Sequence, residues 1–179
     1  AFWETVLKRP SQLFTRPLRW RRACPGSSAS AAAPGELQSW LQEAGSLTLR
    51  LRRLCGDSFR LVVLDQAWQK PFAEEARLLR LRPGQRALVR EVSLQDTDRP
   101  LVVARSIIPL HTLHGADRRL ARLGNRPLGH LLFADPRLQR LDLHVTRVEP
   151  AQRLAGAFDS GSAPIWGRRS LYSLGRDHT

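Results

Sequence analysis

Two arginines, Arg90 and Arg105, stand out because each lies within an otherwise apolar run of the stretch from Gln85 to Pro109. Two segments rich in Val, Leu and Ile flank the polar cluster at 96–99, DTDR, which is typical of a turn, so the stretch predicts a β-hairpin. If the loop is symmetric about the middle of this cluster, Arg90 lies directly opposite Arg105. Because strand side chains alternate between faces, both arginines then share the more apolar face.

Two facing arginines on an apolar face would suggest an anion between them. Like charges directly opposite in an antiparallel pair are destabilising, and an unpaired buried cation is costly. A carboxylate or phosphate would suit the position, because each guanidinium can hold it through two parallel hydrogen bonds. Two alternatives stay open: each arginine pairs with a carboxylate of the protein, or the register differs from the symmetric one.

Length and composition favour a single soluble globular domain. The chain has 179 residues, 42% of them hydrophobic, and it contains no run of about 18 apolar residues that would predict a transmembrane helix. Its two cysteines, Cys24 and Cys55, have neither the spacing of a metal site nor the number for a disulfide framework. We therefore expect a protein of a reducing cytoplasm without stable membrane insertion.

The net charge of +13 raises the question of nucleic acid as a partner. The arginines are, however, spread along the whole chain, and no helix-turn-helix, zinc or RNA-binding signature accompanies them. The sequence therefore predicts no nucleic-acid partner. No metal site is expected either, because the closely spaced His111 and His114 have no cysteine or acidic residue at a suitable distance. Ser170 lacks the context of a nucleophilic serine.

Patterning divides the chain into an irregular, basic and Ser/Ala-rich segment at 1–35 and a domain at 36–179. The alternation of elements in the domain predicts an α+β fold with an antiparallel sheet. The predicted elements are a helix at 36–44, a strand or helix at 47–53, a strand at 59–64, a connecting helix at 67–77, the hairpin, a helix at 116–123, a helix opening at Pro127 or Leu128, a strand at 138–148, a loop at 158–164 and a last strand at 165–174.

Five sequence pieces occur together in an order that resembles the chorismate lyase family, which makes 4-hydroxybenzoate and pyruvate from chorismate. They are GSLT at 45–48, LVREVSL at 88–94, RPLVVARSIIP at 99–109, LGNRPLGHLLF at 123–133 and WGRRS at 166–170. The likeness covers roughly residues 40–174, and the combination is more specific than any single piece. It implies a single antiparallel sheet with helical connections covering a buried ligand pocket.

The resemblance also implies roles for individual residues. Arg90 and Arg105 fall on the family's two substrate-binding arginines and are expected to serve catalysis as well. Leu47 would line the pocket, and the backbone amide of Leu128 would contact the ligand. Chorismate carries two carboxylates, which suits two arginines by charge. The reaction implied is a lyase step without metal or organic cofactor, the first of ubiquinone biosynthesis, in a monomeric bacterial enzyme.

One departure from the family pattern bears on activity. The family carries a glutamate on a final strand after its WGRRS segment, whereas no glutamate follows Glu149 in this chain. This predicts either a C-terminally truncated domain, whose activity and solubility would rise on restoration of the strand, or a domain that has lost a catalytic residue and part of its sheet. The alternative function is a domain of the same fold that binds 4-hydroxybenzoate or a similar aromatic carboxylate without turnover.

Overall fold

The structure is a computed structural model that describes residues 11, 13–14, 18–23, 33–113, 123–153 and 164–174. Within these residues the fold is α+β, as the sequence predicts. The strands are β1 (Arg21–Arg22), β2 (Phe59–Gln69), β3 (Ala87–Asp96), β4 (Arg99–Pro109), β5 (Leu138–Val148) and β6 (Ile165–Leu174). The helices are α1 (Gly35–Leu41), α2 (Leu47–Cys55), α3 (Ala73–Leu78) and α4 (Leu128–Leu132).

The described strands form two antiparallel sheets of three strands each, where the sequence predicted one. One sheet has the order β2-β3-β4 and the other β1-β5-β6. The outer strands β4 and β6 do not pair with each other, and both line the same cavity over consecutive residues, 100–109 and 165–174. Since neighbouring strand residues point to opposite faces, a consecutive run of lining residues means that each strand turns its edge toward the cavity.

The β3–β4 hairpin has the predicted turn but not the predicted register. Asp96 pairs with Arg99 around the turn, where Thr97 has a φ of 55°. The register then shifts between Leu94 and Gln95, which leaves Leu101 as an extra residue on β4. A bulge of this kind displaces every pair beyond it by one position.

The two arginines consequently do not face each other, and this prediction was wrong. Arg90 pairs with Ser106, and Arg105 pairs with Glu91. Because directly paired residues share a face, Arg90 and Arg105 belong to opposite faces of the sheet. A one-residue bulge leaves no trace in the pattern of apolar and polar residues, so a symmetric loop was the simplest expectation.

The two faces of this sheet are covered by different elements. On the Arg90 face, α2 packs through Leu51 against Leu94, and α4 packs through Leu128 against a cluster around Leu88. On the Arg105 face lie α3 and Ser11, which contacts Glu91, and the nearby Leu13 is completely buried. The hairpin therefore places Arg90 and Arg105 against different neighbouring elements.

The segment at 47–53, which the pattern left as a strand or a helix, is helical and forms most of α2. Ser46 caps its first turn by accepting a hydrogen bond from the backbone N–H of Leu49, and Gly56 follows its last residue with a φ of 57°. The connecting helix expected at 67–77 begins later, because β2 continues to Gln69 and α3 starts at Ala73.

The later elements agree with the sequence wherever the structure describes them. The strands at 138–148 and 165–174 and the helix opening at Leu128 are confirmed. Most of the predicted helix at 116–123, the loop at 158–163 and residues 175–179 lie outside the described residues. In the part of the chain that is described, every helix is too short or too polar to cross a bilayer.

Candidate active site

Arg90 is a buried cation held by neutral acceptors. Its side chain projects from the middle of β3, and the residue is only 2% exposed. Nη1 donates to the side-chain oxygen of Gln66, its partner on β2, at 2.5 Å, and Nη2 donates to the backbone carbonyl of Arg126 at 3.2 Å. Both acceptors are uncharged, so they orient the guanidinium without neutralising it.

None of the carboxylates in the described ranges forms an ion pair with Arg90. Burial lowers the pKa of the Arg90 guanidinium, as expected for a cation removed from water. Arginine nevertheless stays protonated in proteins. Arg90 is thus a pre-oriented positive charge whose counter-ion is not supplied by the described protein groups.

Leu47 and Leu128 flank the cavity on the Arg90 face. Leu47 begins α2 and Leu128 begins α4, and both line the cavity together with Arg90 and Val92. The cavity has a volume of about 1660 Å³ and continues around the open edge of β4. In the first turn of a helix the backbone N–H groups have no intrahelical acceptor, so the Leu128 amide is a donor available to a ligand. Three of the four residues named from the sequence therefore come together here.

Arg105, the fourth, lies on the other face and is paired with two carboxylates. Nε and Nη2 donate to the two oxygens of Glu75 at 2.9 and 3.1 Å, and Nη1 donates to Oε1 of Glu91 at 2.7 Å. The guanidinium also stacks over the ring of Phe72, with 4.7 Å from Cζ to the ring centre. Its side chain is 6% exposed, and Glu91 is completely buried.

The electrostatics of the Arg105 site are the reverse of those around Arg90. Burial alone would lower the pKa of Arg105, but the hydrogen bonds and charges of Glu75 and Glu91 outweigh it, so the pKa is raised. Arg105 thus lies between two carboxylates supplied by the chain itself. For Arg105, the structure thus confirms the alternative of pairing with protein carboxylates.

The residues that sequence reasoning missed are the partners of the two arginines. Glu75 comes from α3, and Ser11 donates through Oγ to Glu91 at 2.7 Å from a segment predicted to be irregular. Gln66 lies in β2, beyond the predicted end of that strand at residue 64. Such long-range partners leave no local signal. Only Glu91, directly after Arg90, was visible as a charge in an apolar strand.

The two arginines of the WGRRS piece contact other parts of the chain. Arg168 donates to the backbone carbonyl of Glu43 at 2.5 Å just after α1, while Arg169 contacts Glu74 and the ring of Trp20. The Oγ atom of Ser170 is buried and has no hydrogen-bond partner among the described residues. In the described part of the chain, no group of three or more His, Cys, Asp or Glu side chains lies close enough together to hold a metal ion.

Comparison with known sequences settles which family this arrangement belongs to. A sequence model of the family described as chorismate lyase matches residues 19–179. The chain belongs to the chorismate lyase family. The match begins before the first element seen in the resemblance and includes β1, α1 and every later element.

Curated relatives of this chorismate lyase family member come from several bacteria, and each is named a "probable chorismate pyruvate-lyase". The relative from Methylococcus capsulatus is 53% identical over 140 residues, covering 77% of this chain and 86% of its own length. Those from Aromatoleum aromaticum and Marinobacter nauticus are 41% and 38% identical over 147 and 168 residues. They cover 79% and 93% of this chain, and 79% and 85% of their own lengths.

Proposed function

We propose that this chain is a chorismate pyruvate-lyase, which eliminates pyruvate from chorismate and leaves 4-hydroxybenzoate. The family and the names of the bacterial relatives support this activity. The observation that carries the assignment to a site is Arg90, a buried cation that the described carboxylates do not neutralise, beside Leu47 and Leu128. A carboxylate is the counter-ion that such a site accepts best.

In the proposed complex, the ring carboxylate of the substrate binds Arg90 and the backbone N–H of Leu128. The two neutral acceptors of Arg90 keep its guanidinium plane fixed, so little freedom is lost when the ligand arrives. The ring then lies against apolar walls formed by Leu47, Val92 and Leu94, which line the cavity on this face. We propose that α2 and α4 bury the bound ring from the solvent side.

The proposed reaction needs little chemistry from the protein itself. The ether C–O bond breaks, the ring loses a hydrogen and pyruvate gains one, so that chorismate is converted to the two products without an oxidant or reductant. Formation of the aromatic ring drives the reaction. The protein orients the substrate and stabilises the charge that develops on the departing enolpyruvyl group. We therefore propose a mechanism independent of metal and organic cofactors.

The two arginines have unequal parts in this proposal. Arg90 is the primary receptor of the substrate carboxylate. Arg105 lines the same cavity from the other face, and each of its terminal nitrogens keeps one N–H beyond those bound to Glu75 and Glu91. We propose that Arg105 assists with the enolpyruvyl carboxylate through these N–H groups. The surrounding negative charge makes its contribution the weaker one.

The alternative, a binding domain without turnover, is not favoured, because the curated relatives are named as lyases. We further propose, from the family resemblance, that the chain acts as a monomer. The bacterial relatives and the free thiol of Cys55 support a reducing cytoplasm. A place in ubiquinone biosynthesis, at its first step, is proposed from the family resemblance.

The test is to incubate the purified protein with chorismate and to measure 4-hydroxybenzoate and pyruvate separately. The proposal predicts that both products appear in equal amounts. An Arg90→Met variant should lose this activity, while Arg60→Ala, on an exposed arginine that donates to backbone carbonyls, should keep it. Binding of 4-hydroxybenzoate without pyruvate release from chorismate would support the binding-domain alternative instead.

A further inference from the structure

Helices α2 and α4 touch at a point where only a glycine fits. A side chain at Gly129 would place its Cβ 2.8 Å from Oγ of Ser46, which is closer than real Cβ contacts come. The ring of Phe133, at 3.6 and 3.7 Å from the same point, would be in ordinary contact. The constraint on Gly129 therefore comes from Ser46 alone.

Ser46 cannot easily turn its hydroxyl away from Gly129. The residue is buried at the start of α2, and Oγ accepts the hydrogen bond from the backbone N–H of Leu49, which caps the helix. Moving Oγ would leave a backbone N–H in the first turn without its acceptor, which destabilises the helix. A larger residue at position 129 would thus push the two helices apart or break the cap.

The contact lies next to the residues proposed to bind the ligand. Leu47 follows Ser46 on α2, and Leu128 precedes Gly129 on α4. The chain just before α4 is also tied to the anion receptor, because the carbonyl of Arg126 accepts from Arg90. A shift of α4 away from α2 would therefore move the Leu128 amide and the Arg126 carbonyl relative to Arg90.

We propose that Gly129 is a positioning residue, whose close contact with Ser46 sets the separation of α2 and α4 and thereby the fit of the aromatic carboxylate between Leu47, Leu128 and Arg90. This inference rests on the proposed function for the identity of the ligand. Gly129 acts on the ligand through the positions of Leu47 and Leu128.

The experiment measures the dissociation constant of 4-hydroxybenzoate by calorimetry for wild type, Gly129→Ala, Ser46→Gly and the double variant. Small displacements of the groups that bind a ligand reduce affinity strongly, so Gly129→Ala should weaken 4-hydroxybenzoate binding roughly tenfold. Ser46→Gly removes Oγ and should affect the stability of the helix only slightly, because glycine is itself favoured at the N-cap position. The double variant should then bind within about twofold of Ser46→Gly, because the added Cβ meets no oxygen.

Chorismate kinetics provide a readout that a general loss of stability would not reproduce. Gly129→Ala should raise KM in proportion to the dissociation constant while kcat changes by less than about threefold, since ground-state and transition-state binding are lost together. The matched control is Gly35→Ala, because a Cβ there would meet no described atom within 4 Å. Gly35→Ala should bind and turn over like wild type.

Three results would overturn the inference. Gly129→Ala binding like wild type would show that the contact does not matter, and a double variant as weak as Gly129→Ala would show that Ser46 is not the reason. If Gly129→Ala fails to fold, recovery of folding and affinity in the double variant supports the contact, and no recovery refutes it.

Should wild type release no pyruvate, the proposed function fails. In that case, hydrogen exchange of the backbone amides still tests the contact. Exchange in α2 and α4 should be faster in Gly129→Ala than in wild type, and the double variant should reverse this change.

Discussion

The two faces of the β3–β4 hairpin surround a buried arginine with groups of different charge. On one face, Arg90 is held by an amide oxygen and a backbone carbonyl, and the described carboxylates leave its charge unbalanced. On the other, Arg105 is enclosed by Glu75, Glu91 and the ring of Phe72. Burial is similar, but the first arrangement leaves a place for an anion, whereas the second supplies anions from the chain itself.

We propose that this difference separates a cation used mainly for binding from one used mainly for folding. Removing one member of a buried ion pair leaves an uncompensated charge, so Arg105 should matter mainly for folding. A buried cation without a carboxylate is a cost to the unliganded protein and becomes favourable when a ligand anion arrives. Stability and affinity measured on the same variants should therefore separate the two arginines.

The largest expected effect is on folding and comes from Arg105→Ala. It removes the cation that pairs with the buried carboxylate of Glu91, which should lower the free energy of unfolding by about 3 to 5 kcal/mol. Urea denaturation followed by circular dichroism measures this. Adding Glu91→Gln removes the stranded charge and should restore part of the stability. A loss below about 1 kcal/mol in Arg105→Ala would contradict the ion-pair account.

The contrasting variant is Arg90→Met, which removes a buried charge and keeps most of the volume. We expect the unliganded protein to be as stable as wild type or more stable, because the desolvated cation is gone. Saturating 4-hydroxybenzoate should raise the melting temperature of wild type but not of this variant. A clear drop in the melting temperature of unliganded Arg90→Met would show instead that Arg90 is needed for folding.

A matched pair of glutamates on α3 tests whether the carboxylates around Arg105 stabilise the fold. Glu75 holds Arg105 through two hydrogen bonds and is largely buried, whereas Glu74 contacts Arg169 at 3.4 Å and is more exposed. Glu75→Gln should therefore cost about 1 to 2 kcal/mol of unfolding free energy. Glu74→Gln should cost less than about 0.5 kcal/mol. Equal losses in urea denaturation would mean that α3 is not anchored through Arg105.

The smallest effect is expected for a carboxylate near the surface, in the turn after α4. The side chain and backbone N–H of Arg137 lower the pKa of Asp135 to about 2. Because this pKa is lower in the folded than in the unfolded chain, the stabilisation is present above about pH 4 and is lost as the pH falls toward 2. Melting temperatures of wild type and Asp135→Asn should differ at pH 6 and converge near pH 2. A constant difference would contradict this.

Local patterning predicted much of the fold and the burial of Arg90. The alternation in 138–148 and 165–174 predicted β5 and β6 correctly, and the Pro-Leu-Gly start of α4 was visible in the sequence. Arg90 was identified as a buried cation because strand periodicity placed it among apolar residues. Its need for an anion followed from electrostatics alone.

The rest depended on features that a linear pattern does not carry. The bulge at Leu101 moved Arg105 to the other face without changing the apolar pattern. The partners that neutralise Arg105 come from α3 and from β3 of the same sheet, and Ser11 joins them from far away in sequence. Register shifts and long-range ion pairs are tertiary events, so sequence reasoning could name Arg105 but not its surroundings.

The most direct test of the central claim compares the affinity for 4-hydroxybenzoate of Arg90→Met with that of Arg105→Met carrying Glu91→Gln, both measured by calorimetry on folded protein. We predict that Arg90→Met weakens binding about 100-fold or more, since a desolvated charge-assisted contact is lost. The Arg105 double variant should weaken it by no more than about tenfold, or about 1.4 kcal/mol. Wild-type affinity in Arg90→Met, or a greater loss in the Arg105 double variant, would contradict Arg90 as the anion receptor.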